Sequence, residues 1–230
     1  MLVFGDPALV ECQRRRWPAA FSHLFNATNL ADLRHDRIDI HVFSSMAPIA
    51  SRRHYVYHVQ HDGGFGERLE RAVEILTNHG YQQIVIIGSD CPILTLDDIR
   101  RTFDSLDSKR IVLGPDHRGG CYLIGVQVQY RRLISGVRWH KNTDFQEICE
   151  RLNASQIALL PTKQDLDTLA DLMLLASSSE TWGVLVTALL ALRCAVGVKS
   201  DGATQRFDDK VPRIVWQLPP PTFTTPFANN

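Results

Sequence analysis

The stretch Ile84-Val-Ile-Ile-Gly-Ser-Asp-Cys-Pro92 decides the fold class of this chain. Its four consecutive apolar residues are typical of a central parallel strand that is covered on both faces. Ligands of open α/β sheets bind beyond the carboxyl ends of the strands, so we expect Asp90 at the mouth of a site. Thr95 is then predicted to cap a helix whose first turn carries acidic residues.

A second stretch, Val112-Leu-Gly-Pro-Asp-His-Arg-Gly-Gly-Cys-Tyr-Leu-Ile-Gly125, also runs from a buried strand into a tight turn. Asp116 follows this strand as Asp90 follows the first, which predicts two carboxylates at adjacent strand ends in a metal-phosphate site. Gly119 and Gly120 permit a close backbone approach or a positive φ. Alternatively, each aspartate only caps the turn after its strand.

The remaining pattern alternates between strands and helices. An amphipathic helix is predicted over Gly66–Asn78, because Leu69, Val73 and Leu76 recur at helical spacing. This alternation predicts an α/β three-layer sandwich with a mostly parallel sheet and right-handed crossovers. Further strands are expected at residues 2–4, 39–44, 55–59 and 156–160, and further helices at residues 8–30, 143–152 and 169–176.

The length of 230 residues, 44% of them hydrophobic, is enough for one sizeable packed domain. We predict an α/β domain over residues 1–176 and a C-terminal part over 177–230, which consists of an apolar helix near 182–195 and a proline-rich tail. The helix is too short for a membrane span and carries Arg193. It is a candidate contact in a homodimer, because an exposed apolar helix is unfavourable.

The overall charge excludes some classes of partner. Lys and Arg together number 25, as do Asp and Glu, so no global field favours nucleic acid or an acidic membrane.

The five cysteines form no Cys-x-x-Cys pair, which argues against a zinc ribbon and a disulfide framework. The chain also begins without a secretory signal pattern. A cytoplasmic location is expected.

A glycine-rich segment, Asp62-Gly-Gly-Phe-Gly-Glu-Arg68, precedes the amphipathic helix. Its backbone N–H groups and the positive helix end could face an anion or a nucleotide, although such a segment also serves as a plain turn. Arg118 could pair with Asp90 or Asp116, or reach a phosphate. Trp139, in a predicted loop, can stack on a sugar or base or simply anchor the loop.

Other polar groups favour structural roles. His54 and His58 share one strand face and could bind metal, but no third ligand is evident in the sequence. Asp165, Asp167 and Asp171 open a predicted helix, where capping is their expected role unless they border the same mouth. The sequence lacks Gly-x-Ser-x-Gly, the Walker Gly-Lys-Ser/Thr and His-Glu-x-x-His, so hydrolase and P-loop functions lose support.

Several of these segments together resemble a bacterial glycosyltransferase-like family of GT-A fold that is often encoded near radical-SAM and selenium-related proteins. More distantly they resemble the molybdenum-cofactor and phospholactate guanylyltransferases. The resemblance covers roughly residues 55 to 175. It rests on Gly63–Arg68, Ile87–Pro92, Leu113–Pro115 with Gly119–Gly125, Trp139, and Leu160–Pro161 with Asp165–Thr168.

The resemblance implies a metal-dependent transferase with a nucleotide sugar or nucleoside triphosphate as donor, most simply a glycosyltransferase whose acceptor is open. Mg²⁺ or Mn²⁺ would be held by Asp90 and a second acidic group, for which Asp116 is the candidate. Gly64 and Gly66 would lie beside the nucleotide. The other candidate nucleotide-binding residues are Arg68, Gly119, Gly120 and Trp139.

The chain departs from the family pattern at two places. Arg118 stands where the family has an aspartate, and the family's N-terminal Lys-Thr-Arg-Leu signature is replaced by Arg14–Arg16 as the nearest basic cluster. Two alternatives therefore stay open. One is a guanylyltransferase-like nucleotidyltransferase, whose pattern Pro115-Asp116 approaches, and the other is a catalytically degenerate relative that binds a nucleotide or a protein partner.

Overall fold

A seven-stranded sheet forms the centre of the computed structural model, which describes residues 1–4, 33, 38–45 and 55–178. The strand order is β3-β2-β1-β4-β6-β5-β7, and β6 is the one strand of this sheet that is antiparallel to its neighbours. The strands are β1 Leu2–Phe4, β2 Ile40–Ser44, β3 Tyr55–Val59, β4 Gln83–Ile87, β5 Ile111–Pro115, β6 Cys121–Gln127 and β7 Ile157–Leu159.

Helices connect and cover these strands. They are α1 Phe65–Asn78, α2 Leu96–Leu106, α3 Asp144–Cys149 and α4 Leu169–Ser178, with 3₁₀ helices at Val128–Ile134 and Ala154–Gln156. The predicted cap of α2 is present, since Thr95 Oγ accepts from the backbone N–H of Asp98 at 3.2 Å and Thr95 N donates back to the Asp98 carboxylate at 2.8 Å. The helix predicted over 143–152 is limited to the shorter α3.

The sheet lies between two layers of helix, as the continuous apolar run of β4 predicts. Ile84 and Ile86 belong to the core cluster that includes the buried side of α1. Val85 and Ile87 belong to the cluster on the opposite face, which includes buried residues of α2. Successive side chains of a strand point to opposite faces, so only a strand covered on both sides needs four apolar residues in a row. The three-layer prediction is confirmed.

The expectation that Asp90 and Asp116 follow adjacent strands is wrong. β6 pairs antiparallel with both β4 and β5 and separates them. The connection from Asp116 to Gly120 is too short for a parallel crossover, which needs a dozen or more residues, so the chain must turn back as a hairpin. β4 and β5 nevertheless run in the same direction, and both aspartates therefore follow their strands at the same edge of the sheet.

Several predicted features lie outside the described residues: the helix over 8–30, Arg14–Arg16, His54, the apolar helix near 182–195 and the proline-rich tail. The chain divides into two units, residues 1–196 and 197–230, and every described residue belongs to the first. The boundary at residue 177 stays a prediction. Within the described ranges, no helix is long and apolar enough to cross a membrane.

Candidate functional site

A cavity of about 480 Å³ opens beyond the carboxyl ends of the central strands. This size suits a small ligand or a cofactor. We call its carboxylate-bearing part the acidic side and its ring-bearing part the aromatic side. The acidic side consists of Asp90, Asp116, Asp144, Asp165 and Asp167, and the aromatic side of Gln60, Phe65, Arg68, Trp139 and His140.

Asp90 lies where the sequence places it, just beyond β4 and on the cavity wall. Its carboxylate lies so close to Gly88 that a Cβ at that position would come within 2.5 Å of Asp90 Oδ1. The glycine before Ser-Asp therefore leaves the room that the carboxylate occupies. The backbone carbonyl of Asp90 accepts a hydrogen bond from the N–H of Leu166 at 2.8 Å.

Asp116 both closes a turn and lines the cavity. Its Oδ1 accepts from the backbone N–H groups of Arg118 at 2.6 Å and Gly120 at 2.9 Å, so the turn-capping alternative applies to this oxygen. Its Oδ2 lies against Gly120, where an added Cβ would collide with it. Gly119, at φ +98°, supplies the left-handed backbone of the turn without lining the cavity.

Asp165 is the carboxylate that the sequence assigned to helix capping and that the structure brings to the cavity mouth. Its Oδ1 is buried with no hydrogen-bond partner among the described residues. Burial raises the pKa of Asp165 to about 8, and the neighbouring carboxylates of Asp90 and Asp116 contribute in the same sense. A carboxyl group perturbed in this way inside a cleft marks a candidate functional site.

The capping role belongs to Asp171 instead. Its Oδ2 accepts from the backbone N–H of Thr168 at 2.7 Å, at the start of α4. Arg118 joins this cap, since its guanidinium donates to Asp171 Oδ1 at 2.5 Å and to Asp167 Oδ2 at 2.8 Å. The side chain of Arg118 therefore pairs with these two aspartates, whereas the sequence had offered Asp90 and Asp116 as its partners.

Asp144, at the start of α3, was missed by sequence reasoning. It is buried, and this burial raises its pKa to about 6, with a smaller contribution in the same sense from the Asp116 carboxylate. An added Cβ at Gly120 would come within 3.5 Å of Asp144 Oδ2, so Asp144 and Asp116 flank the same glycine. The sequence carries no signal for Asp144, because it does not follow a strand and because acidic residues are common in the first turn of a helix.

The aromatic side is built from α1 and the loop before α3. The rings of Phe65 and Trp139 meet edge to face at a centroid distance of 5.7 Å, and those of Phe65 and His140 at 4.3 Å. Gly66 makes room for Trp139, because a Cβ there would come within 2.9 Å of the indole. His140 and Asn142 have φ values of 60° and 57°, a backbone conformation that clusters at functional sites.

Two buried donors on this side have no hydrogen-bond partner among the described residues: the Nε of Arg68 and the Nε1 of Trp139. The guanidinium of Arg68 also donates through its NH1 group to Gln60 Oε1 at 2.6 Å. Gly64 is placed differently from its expected role, since its N–H donates to Glu67 Oε2 at 2.8 Å and it does not line the cavity. The Gly64 N–H, which was expected to face a bound anion, is therefore hydrogen-bonded to the side chain of Glu67.

Metal binding by the protein alone receives no support from side-chain geometry. In the described part of the chain, no three His, Cys, Asp or Glu side chains are arranged to hold a metal ion. His58 lies elsewhere, with its Nε2 at 3.0 Å from His41 Nδ1 and its ring stacked on Phe43. A cation in the cavity would need further ligands from water or a bound molecule.

Residues 32–141 match the family model described as "Uncharacterized protein conserved in bacteria (DUF2064)". The matched segment carries Asp90, Asp116 and Trp139. No curated protein matches the chain.

Solved structures show the same fold. A candidate nucleotide-diphospho-sugar transferase from Desulfovibrio desulfuricans G20 is 20% identical, with a TM-score of 0.65, and the match covers 85% of this chain and 95% of that one. The Mycobacterium sp. strain JC1 homologue of Mycobacterium tuberculosis Rv0371c is 15% identical, with a TM-score of 0.51, over 81% and 98% of the two chains. A manganese complex of Rv0371C is a more remote match, at 16% identity and a TM-score of 0.47, over 77% and 97%. The first two likenesses confirm the predicted fold class.

Proposed function

We propose that this protein is a metal-dependent transferase that uses a nucleotide-activated donor, with transfer of a glycosyl group as its reaction. The observation that carries the proposal is the crowding of Asp90, Asp116 and Asp165 in one cavity that is also lined by the aromatic rings of Phe65 and Trp139. Carboxylates suit a cation that binds phosphates, and rings suit a base or a sugar. A nucleotide sugar has both parts.

The acidic side fits a divalent cation on the chemistry of its donors. Carboxylates held close together repel one another, and the partnerless Oδ1 of Asp165 is an available oxygen ligand. Mg²⁺ commonly takes one or two carboxylates and completes its shell with phosphate oxygens and water, which agrees with the lack of a three-residue cage in the described chain. Asp90 and Asp165 would hold the ion, with Asp116 Oδ2 beside them. Bound there, the ion would stabilise charge on the leaving phosphate.

The aromatic side fits the ring-bearing part of the donor or acceptor. Trp139 and Phe65 offer flat apolar surfaces for stacking. The unpartnered Nε of Arg68 and Nε1 of Trp139 are buried donors, and leaving them unsatisfied is unfavourable. Hydroxyl or carbonyl oxygens of a bound ligand would satisfy them. The cavity would thereby orient a ligand along its length, with its phosphates at the acidic side.

Arg118 does not argue for a degenerate site. Its guanidinium pairs with Asp167 and Asp171, and Arg118 does not line the cavity. Asp165 and Asp144 line the cavity, and either would supply an acidic group in place of the one aspartate that the family has at position 118. The acidic character of the cavity is therefore retained despite the substitution.

Transfer of a nucleotidyl group is a second candidate reaction. It is favoured by Asp116, which directly follows Pro115 as in the guanylyltransferase pattern and lines the cavity. The two reactions differ in their products. Release of a nucleoside diphosphate from a nucleotide sugar would indicate glycosyl transfer, whereas release of pyrophosphate from a nucleoside triphosphate would indicate nucleotidyl transfer.

Isothermal titration calorimetry tests the proposal. A panel of nucleotide sugars and nucleoside triphosphates is titrated into the wild-type protein and into Asp90→Ala, with and without Mn²⁺. We expect Mn²⁺-dependent binding of at least one member to the wild type and much weaker binding to the variant. If no member binds in a metal-dependent way and Asp90→Ala behaves as the wild type does, the transferase proposal is wrong.

A further inference from the structure

We infer that Arg118 is a positioning residue that holds Asp165 in the acidic side of the cavity. The inference concerns the placement of this carboxylate, and its consequence for metal binding rests on the proposed function. Asp165 lines the cavity together with Asp90 and Asp116, and its Oδ1 is buried with no hydrogen-bond partner among the described residues. The backbone on both sides of Asp165 is hydrogen-bonded to the loop after β4 and to the end of β5, which sets its position.

The segment between β7 and α4 is fixed on either side of Asp165. The N–H of Lys163 donates to the carbonyl of Pro115 at 3.1 Å, and the N–H of Leu166 donates to the carbonyl of Asp90 at 2.8 Å. Leu166 is itself fully buried. Beyond it, the chain enters α4 through Asp167 and Thr168, and this is the part that Arg118 engages.

Arg118 connects two of the segments that carry the acidic side, namely the turn with Asp116 and the segment between β7 and α4 with Asp165 and Asp167. Its backbone N–H donates to Asp116 Oδ1 at 2.6 Å, and its guanidinium donates to Asp167 Oδ2 at 2.8 Å and Asp171 Oδ1 at 2.5 Å. The side chain of Asp171 is only 12% exposed, and its other oxygen caps α4 at Thr168. A single residue therefore ties the Asp116 turn to the start of α4, which follows Asp165 in the chain.

The planar guanidinium is suited to this task because its forked donors can serve two carboxylates at once. It also balances the charge of Asp167, which would otherwise add to the negative charge close to Asp165. An aspartate at position 118 would instead repel Asp167 and Asp171. Arginine at this position thus offsets the charges of Asp167 and Asp171 and ties the segment that carries Asp165 to the Asp116 turn.

Two measurements on Arg118→Ala and Arg118→Met test the inference, with Arg101→Ala as matched control. Arg101 forms an ion pair with Asp97 on the surface of α2 and does not line the cavity. Hydrogen exchange followed by mass spectrometry reports directly on the peptide from 160 to 168, including the Leu166 amide. Titration with Mn²⁺ alone reports on the carboxylates, with no turnover required.

We expect exchange in this peptide to be severalfold faster in both Arg118 variants and unchanged in Arg101→Ala. Mn²⁺ affinity should fall roughly 10- to 100-fold, the usual effect of losing a residue that orients metal ligands. Unchanged exchange in a folded Arg118 variant would overturn the inference, as would faster exchange with undiminished Mn²⁺ affinity. If neither variant folds, Arg118 supports the fold as a whole and the inference is wrong. Absence of Mn²⁺ binding to the wild type would count against the proposed function, while the exchange data would still decide whether Arg118 positions the segment.

Discussion

The backbone N–H of Leu166 donates a hydrogen bond to the backbone carbonyl of Asp90 at 2.8 Å. This bond joins the loop after β7 to the loop after β4 across the edge of the sheet. It places Asp165, the residue before Leu166, next to the carboxylate that the sequence singles out. The acidic side of the cavity is therefore assembled by backbone pairing between loops that are far apart in the chain.

Replacing Asp165 with asparagine is expected to stabilise the protein near pH 8. Burial raises the pKa of Asp165 in the folded state to about 8, above its usual value. Between pH 4 and pH 8 the folded state retains a proton that the unfolded chain releases, so this group makes stability fall as the pH rises. The asparagine side chain has no charge to bury. An increase of about 1 kcal/mol in the free energy of unfolding would raise the melting temperature by roughly 2–4 °C for a chain of this size.

Thermal unfolding of wild type and Asp165→Asn between pH 4 and pH 8.5 measures this effect. The two melting temperatures should converge near pH 4 and separate towards pH 8. Asp104→Asn, an exposed site on α2, is the control and should run parallel to the wild type. Parallel curves for Asp165→Asn would mean that its carboxyl group is not crowded.

Mn²⁺ binding to the wild type at pH 7 is expected to release protons. A carboxyl group must lose its proton to become a ligand, and the raised pKa of Asp165, about 8, means that it is mainly protonated at pH 7. Affinity should therefore increase from pH 6 to pH 8. Calorimetry in two buffers with different ionisation enthalpies measures the released protons, and Asp165→Asn should remove most of the release. Equal apparent enthalpies in the two buffers would contradict the prediction.

Gly64→Ala and Gly66→Ala are expected to differ although the two glycines are only two residues apart, at the N-cap and in the first turn of α1. A Cβ at Gly64 would meet only Glu67 Oε2 at 3.7 Å, an ordinary contact, whereas a Cβ at Gly66 would come within 2.9 Å of the Trp139 indole. Gly66→Ala should displace Trp139 and weaken nucleotide binding, by up to the stacking contribution of about 1–3 kcal/mol. Gly64→Ala should bind as the wild type does. Titration of the panel member that binds the wild type measures both, and equal losses would refute the assigned role of Trp139.

Lys163→Met is expected to destabilise the fold. Lys163 Nζ donates to Asp98 Oδ2 at 2.6 Å, and the two side chains are only 14% and 11% exposed. Removing one partner of a buried ion pair leaves an uncompensated charge, which costs about 3–5 kcal/mol. The double variant Lys163→Met with Asp98→Asn should recover part of this loss, because the amide can still cap α2 without a buried charge. Denaturant unfolding measures both, and an equally unstable double variant would show that packing of the Lys163 stem dominates.

The sequence predicts most elements of the fold because local patterns carry them. The apolar run of β4, the spacing of Leu69, Val73 and Leu76 in α1, and the Thr95 cap of α2 each depend on nearby residues. The order of the strands in the sheet depends instead on residues that are far apart in the chain. The strand β6 was not predicted from the sequence, and its antiparallel position between β4 and β5 is set by pairing with residues far away in the chain.

The same division applies to the candidate site. Asp90, Asp116 and Trp139 could be singled out because each follows or neighbours a recognisable segment, and all three line the cavity. Asp144 carried no distinguishing signal, and Asp165 shared its segment with the capping residue Asp171. The structure distinguishes the two residues, because Asp165 lines the cavity and Asp171 caps α4.

The sequence by itself determined the layered α/β architecture and the presence of a carboxylate beyond β4, because hydrophobic periodicity and strand-end placement are local properties. The tertiary structure decided which carboxylates meet and which are neutralised. Asp165 lies near Asp90 because the N–H of the next residue, Leu166, donates to the Asp90 carbonyl, and Arg118 is directed towards Asp167 and Asp171. The physical reason is that electrostatic interactions depend on distances in space, and those distances are set by the pairing of strands and loops far apart in the chain.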